Sequence, residues 1–172
     1  MKKKKNIFIL LVLLSIAALS IFFVYQVLQK TNKKKEKWQS IPSFSLLDID
    51  GNRVTEKALR KNTPTLFLFF DSGCDLCHTE LNDINSNQNA LSKCQMIFFS
   101  TQPADSIRSF LESISFNQAP NMFFLVDGDE ELIETMEIQA TPTAIIYDKN
   151  GILSKRFNGP VKIETLINYL SK

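Results

Sequence analysis

Glycine and proline are scarce in this chain, with five and six among 172 residues. That excludes collagen-like repeats and glycine–proline tracts, and no internal repeat is visible. A composition of 44% hydrophobic and 22% charged residues is ordinary for a globular protein, which excludes intrinsic disorder and a coiled coil. Histidine is limited to His78, and cysteine to Cys74, Cys77 and Cys94. Neither charge sign is in large excess, the formal net charge being +2. That balance conceals a split. Residues 1–37 carry nine lysines and one acid, giving +8, and residues 38–172 carry the rest, giving −6. An acidic globular part lacks the clustered Lys and Arg through which nucleic acid is bound.

The basic end adjoins a long apolar run. Residues 7–28 (IFILLVLLSIAALSIFFVYQVL) contain no charged residue. As a helix they would span about 33 Å, enough for a hydrocarbon core of about 30 Å. A cleavable signal peptide has a shorter apolar core, about 7–15 residues, and a small-x-small cleavage site. Here no Ala-x-Ala follows Phe23, and no cysteine near the end of the run offers a lipoprotein anchor. The expectation is a basic N-terminus (1–6), an uncleaved transmembrane anchor (7–28), a basic linker (29–39) and one folded domain (40–172). Lysines flank both ends of the span, so the positive-inside rule is nearly tied. A basic cluster ahead of the first apolar helix has the form of an export signal. It predicts a single-pass cell-membrane protein whose C-terminal domain is extracytoplasmic, in the periplasm or on the outer face.

Within the domain, strands alternate with helices. Phe44–Leu47 and Arg53–Thr55 flank the turn signal Asp50-Gly51-Asn52 and predict a hairpin. Thr65–Phe70 and Gln95–Ser100 are unbroken apolar runs, the pattern of central strands covered on both faces. Pro103 opens a helix whose Ile107, Phe110, Leu111 and Ile114 recur at i, i+3, i+4 and i+7. Asn121–Val126 predicts a further strand, and Asp129–Glu137 a short acidic helix. Thr143–Tyr147 and Ile152–Phe157 predict strands joined by a two-residue hairpin at Asn150-Gly151. Val161–Leu170 closes the chain as an amphipathic helix. This order predicts an α/β domain with a mixed sheet flanked by helices.

The chemistry concentrates at Cys74-Asp75-Leu76-Cys77, directly after a buried strand and the turn Asp71-Ser72-Gly73, where a helix is expected to begin. A helix N-terminus has unpaired N–H groups and a positive dipole end, and both stabilise a thiolate. A second thiol one turn later can resolve a mixed disulfide. Spacing and placement point to dithiol–disulfide exchange through a Cys74–Cys77 redox pair, with Cys74 the exposed nucleophile and Cys77 the partly buried resolving thiol. Three other readings use the same residues. Cys74 to His78 matches the CxxCH pattern of c-type haem attachment. A structural zinc site would need Cys74, Cys77, Cys94 and His78 as its four ligands. A purely structural disulfide suits an exported domain, although so short a loop gains little from cross-linking. Cys94, at the start of an apolar strand, reads as a buried structural thiol. His78 reads as a solvent-facing helix residue. Asp75 is expected to disfavour a second negative charge, raising the Cys74 pKa and making the couple more reducing.

The strand–CxxC–helix unit, with Ala140-Thr141-Pro142-Thr143, the strand Ala144–Asp148 and the turn Lys149–Ile152, resembles a thioredoxin-like fold. More narrowly, it resembles the membrane-anchored thiol–disulfide oxidoreductases of the TlpA/ResA type, whose first hairpin Ile41–Gly51 also resembles. The likeness covers residues 40–171. It implies that Pro142 is cis and faces the CxxC, and that the Thr141 backbone pairs with an extended substrate. It also implies that Glu80, three residues after the second cysteine, exchanges the proton the resolving thiol must lose. An exposed helix acid without a role is the other reading of Glu80. No cofactor is implied, since the dithiol is the redox centre. The implied partners are disulfide-containing exported proteins and a thiol reductant, a transmembrane reductase. The family's usual Trp before the first cysteine is Gly73 here, and its frequent Pro before the second is Leu76. The buried Asp of thioredoxins proper is Leu68. A peroxiredoxin fits less well, because Pro64 lies too far from Cys74 for the Pro-x-x-x-Thr/Ser-x-x-Cys pattern. The alternative function class is a non-catalytic binding module of the same fold holding a static disulfide.

Overall fold

The computed structural model describes residues 13–28 and 38–171. The chain divides into two units, Met1–Glu36 and Lys37–Lys172. In the first, residues 13–28 form a helical stretch whose large apolar side chains are exposed. Among the described residues no helix is long and apolar enough to cross a membrane. The expected 7–28 anchor lies partly outside the described residues, which take in its positions 13–28 and not 7–12.

In the second unit seven strands form one sheet in the order β2-β1-β5-β4-β3-β6-β7. They are β1 (Ser45–Asp48), β2 (Arg53–Thr55), β3 (Thr65–Phe69), β4 (Gln95–Ser100), β5 (Met122–Val126), β6 (Thr143–Tyr147) and β7 (Leu153–Asn158). The helices are α1 (Asp75–Ser86), α2 (Ala104–Ser113), α3 (Glu131–Thr135) and α4 (Ile163–Leu170). β3, β4 and β5 run parallel, and the remaining pairings are antiparallel, so the sheet is mixed. Parallel neighbours need crossover connections, and α1 and α2 supply them.

Side-chain alternation explains the unbroken apolar runs. Leu66, Leu68, Met96, Phe98, Phe124 and Ile146 share one face with Leu81, Ile84, Ile107, Phe110 and Leu166 from the helices α1, α2 and α4. Phe67, Phe69, Ile97, Phe99, Ile145 and Tyr147 share the other with Phe44, Leu46, Leu132 and Met136. A strand covered on both sides has no solvent-facing positions to make polar. Phe67 is fully buried and meets Phe44, Phe99 and Tyr147 edge-on, at centroid distances of 6.0, 6.4 and 5.6 Å. Phe67→Ala is expected to lower stability by about 3–5 kcal/mol in urea unfolding. A loss below about 1 kcal/mol would show that this face is not closely packed.

The two-residue hairpin expected at Asn150-Gly151 is corrected. Tyr147 pairs with Leu153, which leaves a five-residue connection, Asp148–Ile152. Asp148 sets it: its carboxylate accepts the N–H groups of Asn150 at 2.8 Å and Ile152 at 2.9 Å. Its carbonyl accepts the Gly151 N–H, and Gly151 supplies the required positive φ of 74°. These bonds hold the exposed Asp148 carboxyl below the usual carboxylate range. Asp48 repeats the device in the first hairpin, accepting from Asp50 and Asn52 around Gly51. An Asx turn therefore sets both loops. The acidic helix expected over Asp129–Glu137 is trimmed to α3, with left-handed Glu130 and Glu137 beyond its ends.

Candidate active site

The CxxC begins where β3 leaves the sheet. Asp71 Oδ1 accepts the Gly73 N–H at 2.7 Å, and the Asp71 carbonyl accepts the Cys74 N–H at 3.1 Å. The chain turns there, and Cys74 becomes the N-cap of α1. A Cβ at Gly73 would lie 3.2 Å from Asp71 Oδ1, so this Asx turn occupies the room a larger residue would need. Cys74 is partly exposed, Cys77 is fully buried, and both are free thiols. Asp75 is the exposed first residue of α1.

Cys74 Sγ donates toward the Thr141 carbonyl oxygen at 3.9 Å, and the Thr141–Pro142 peptide is cis. Thr143 pairs with Phe69 across β6 and β3, which brings two segments remote in sequence to one place. The structure thus gathers Cys74, Cys77, Thr141 and Pro142 at the end of β3.

Glu80 joins them from within the protein. The buried residues of α1 are Cys77, Glu80, Leu81 and Ile84, a stripe at i, i+3, i+4 and i+7. Glu80 is 2% exposed, and neither carboxyl oxygen has a hydrogen-bond partner. Burial pushes its pKa up to about 8, Asp83 adds to the rise, and the Val161 backbone opposes it from beyond hydrogen-bonding reach. The reading of Glu80 as an exposed helix acid is corrected accordingly. Burial likewise drives the Cys77 thiol far above its ordinary range. The Asp71 backbone opposes this shift, while Cys74 and Glu80 reinforce it. The other buried carboxyl among the described residues, Asp127, is committed to α3, accepting from Leu132 and Ile133. Leu68 lies wholly buried in the same cluster as Cys77 and has no proton to give.

His78 is not solvent-facing. It is half-buried, its Nε2 lies 2.8 Å from the Ser72 carbonyl oxygen, and its ring meets Phe110 edge-on at 4.6 Å. Helix α2, packed alongside, covers a position that the α1 pattern alone leaves outside. From the other side, Gln102 Oε1 accepts the Ser72 N–H at 2.8 Å and its Nε2 donates to Ser72 Oγ at 2.9 Å. His78 and Gln102 together grip the turn that carries Cys74. No sequence signal marked Gln102, since only the pairing of β3 with β4 brings it there. With Nε2 so engaged, His78 is turned from the ligand set a zinc site or a CxxCH haem attachment would use. Among the described residues no group of three or more His, Cys, Asp or Glu is placed to hold a metal ion. Cys94 sits just before β4, at the end of the sheet away from Cys74. It is 2% exposed, its Sγ donates to the Leu91 carbonyl at 3.0 Å, and burial pushes its pKa up to about 11.

A profile of the AhpC/TSA family matches residues 38–156. A Bacillus cereus protein named thiol-disulfide oxidoreductase ResA is 24% identical over 177 residues, spanning 100% of this chain and 98% of its own. Among solved structures, StoA from Bacillus subtilis superposes with a TM-score of 0.61 at 20% identity, over 76% of this chain and 98% of that one. Peroxidoxin BcpB from Mycobacterium tuberculosis does so at 0.67 and 13% identity, over 78% and 96%. At these identities the two structures share the fold with this chain.

Proposed function

Because the chain belongs to the AhpC/TSA family, we propose that it is a thiol–disulfide oxidoreductase working through the Cys74–Cys77 dithiol. The observation that carries this reading is the facing pair: Cys74 Sγ 3.9 Å from the Thr141 carbonyl beside a cis Pro142. Cys77 and the unpartnered carboxyl of Glu80 lie buried behind it. Cys74 attacks a substrate disulfide, forming a mixed disulfide and releasing one substrate thiolate. Cys77 passes its proton to Glu80 and attacks Cys74 Sγ, releasing the second substrate thiolate and closing the Cys74–Cys77 disulfide. Two electrons pass from the dithiol to the substrate. A group with a pKa of about 8 suits that proton exchange at neutral pH. Thr141 offers its backbone to an extended substrate strand, as in β-augmentation.

The finer reading is a reductase of exported proteins, held at the membrane by residues 7–28 and recharged by a transmembrane thiol reductase. The charge-free run of 22 residues after Lys2–Lys5 supports the tether. The match to ResA over the whole chain supports the chemistry. Titration of the protein against glutathione with thiol trapping tests the reading. A reversible two-electron couple below about −220 mV is expected, whereas one near −120 mV would make the protein an oxidant. If no couple appears, the binding-module reading with a static disulfide replaces it.

A further inference from the structure

We propose that the end of the domain opposite the CxxC is a docking surface for anionic lipid head groups. The inference rests on the tethered reading above and adds to it a second, electrostatic contact with the membrane. Because β3, β4 and β5 are parallel, the loops preceding them collect at one end, and Cys74 follows β3 at the other. β6 runs antiparallel to β3, with Tyr147 opposite Thr65, so Asp148–Ile152 joins the far end as well.

The far end is cationic. Exposed Arg60, Lys61, Lys93 and Lys149 line two adjoining concavities that share Asn62 and Lys149. None of these four cations forms a salt bridge among the described residues. The Arg60 guanidinium is fixed in place by the Cys94 carbonyl at 3.0 Å. The neighbouring loops 87–94 and 115–121 contain no acid. Glu56, which also lines the surface, directs Oε2 to the Phe44 N–H, and Asp148 spends its carboxylate within its own loop. At the CxxC end acids gather instead, with Asp71, Asp129 and Glu130 on the loops and Asp75 and Glu131 opening α1 and α3.

The place where the chain enters the domain argues for a membrane as the occupant. Gln39 accepts the Leu153 N–H at 2.8 Å, and the Ile41 N–H donates to Gly151 at 3.0 Å. The linker therefore joins the domain on the very loop that carries Lys149. In the sequence, Lys30, Lys33, Lys34, Lys35 and Lys37 precede that point of entry. A basic surface on a domain whose preceding sequence is also basic is attracted to an anionic leaflet, within a Debye length of about 8–10 Å. Docking this end leaves the CxxC end facing away from the lipid, open to substrates.

The test uses the full-length chain in vesicles of phosphatidylcholine alone or mixed with phosphatidylglycerol. Exposed amines are acetylated with a membrane-impermeant reagent and rates are read lysine by lysine. Lys61, Lys93 and Lys149 are expected to react about fivefold more slowly in the anionic vesicles, the factor that corresponds to the attraction of one cation to such a surface. Lys162, at the N-cap of α4 near the CxxC end, serves as the unchanged internal control. High salt should erase the protection. The double variant Lys61→Glu, Lys149→Glu should return Lys93 to its rate on phosphatidylcholine. Equal rates on both vesicle types, with the chain floating on both, overturn the docking surface and leave the tether standing. A chain that does not float with phosphatidylcholine removes the tether, and if phosphatidylglycerol also fails to recruit it the docking surface falls too.

Discussion

Cys74→Ser is expected to abolish disulfide-exchange turnover, a loss of roughly a thousandfold or more, because it removes the nucleophile rather than a supporting group. Cys77→Ser should behave differently. It retains the exposed thiol at the α1 N-terminus, so it attacks a substrate disulfide once. It then lacks the buried thiol that would expel the substrate, and the mixed disulfide accumulates. Thiol release from a disulfide-bonded peptide measures the first effect, and non-reducing electrophoresis with mass spectrometry measures the second. The asymmetry follows from burial: Cys74 is accessible to a protein substrate, whereas Cys77 is sealed beneath it. A trapped species in Cys74→Ser instead of Cys77→Ser would reverse the assigned roles. No trapped species in either, with partner binding kept in both, would identify a binding module.

Glu80→Gln is expected to move activity and stability in opposite directions. Removing the proton acceptor beside Cys77 should slow resolution of the mixed disulfide on the order of a hundredfold. It should also erase the inflection near pH 8 from the pH profile of that step. The stability effect has a definite sign. Glu80 titrates near its ordinary value of 4.5 when unfolded and at about 8 when folded. Between those values the native state holds a proton that the unfolded chain has already lost. Stability from this group is therefore complete below the unfolded pKa and is lost as pH rises toward the folded pKa. A neutral amide does not titrate, so the variant escapes this loss. Relative to the parent it should gain several kcal/mol at pH 9 compared with pH 4, with a ceiling of roughly 5 kcal/mol. Urea unfolding at the two pH values gives the answer. The same difference between variant and parent at both would mean that Glu80 titrates as an ordinary surface acid.

Burial of Glu80 was written in the sequence more plainly than its residue type suggests. Cys77, Leu81 and Ile84 mark a buried stripe of α1, and residue 80 falls on it. The average preference of glutamate for the surface competes with that periodicity, and here the helix geometry wins. The double-sided strands β3 and β4 were legible for a similar reason, since uninterrupted apolar runs have few other homes. Hairpin loop lengths were not, because Asp48 and Asp148 replace backbone turn bonds with carboxylate ones, and Asn-Gly alone says nothing of that competition. His78 and Gln102 were illegible for a different reason. Their importance lies in reaching Ser72 from α1 and from the loop after β4, and no local pattern encodes a meeting of segments.

The seclusion of Cys94 governs how many electrons this protein can store. Its thiol is buried, bonded to Leu91 and at the end of the sheet away from Cys74, so the exchange proposed above runs between Cys74 and Cys77 without it. A third thiol near the first two would let equivalents leak into mispaired or intermolecular disulfides. With Cys94 sequestered, the proposed Cys74–Cys77 chemistry makes the folded domain a carrier of one electron pair, loaded and unloaded as a unit.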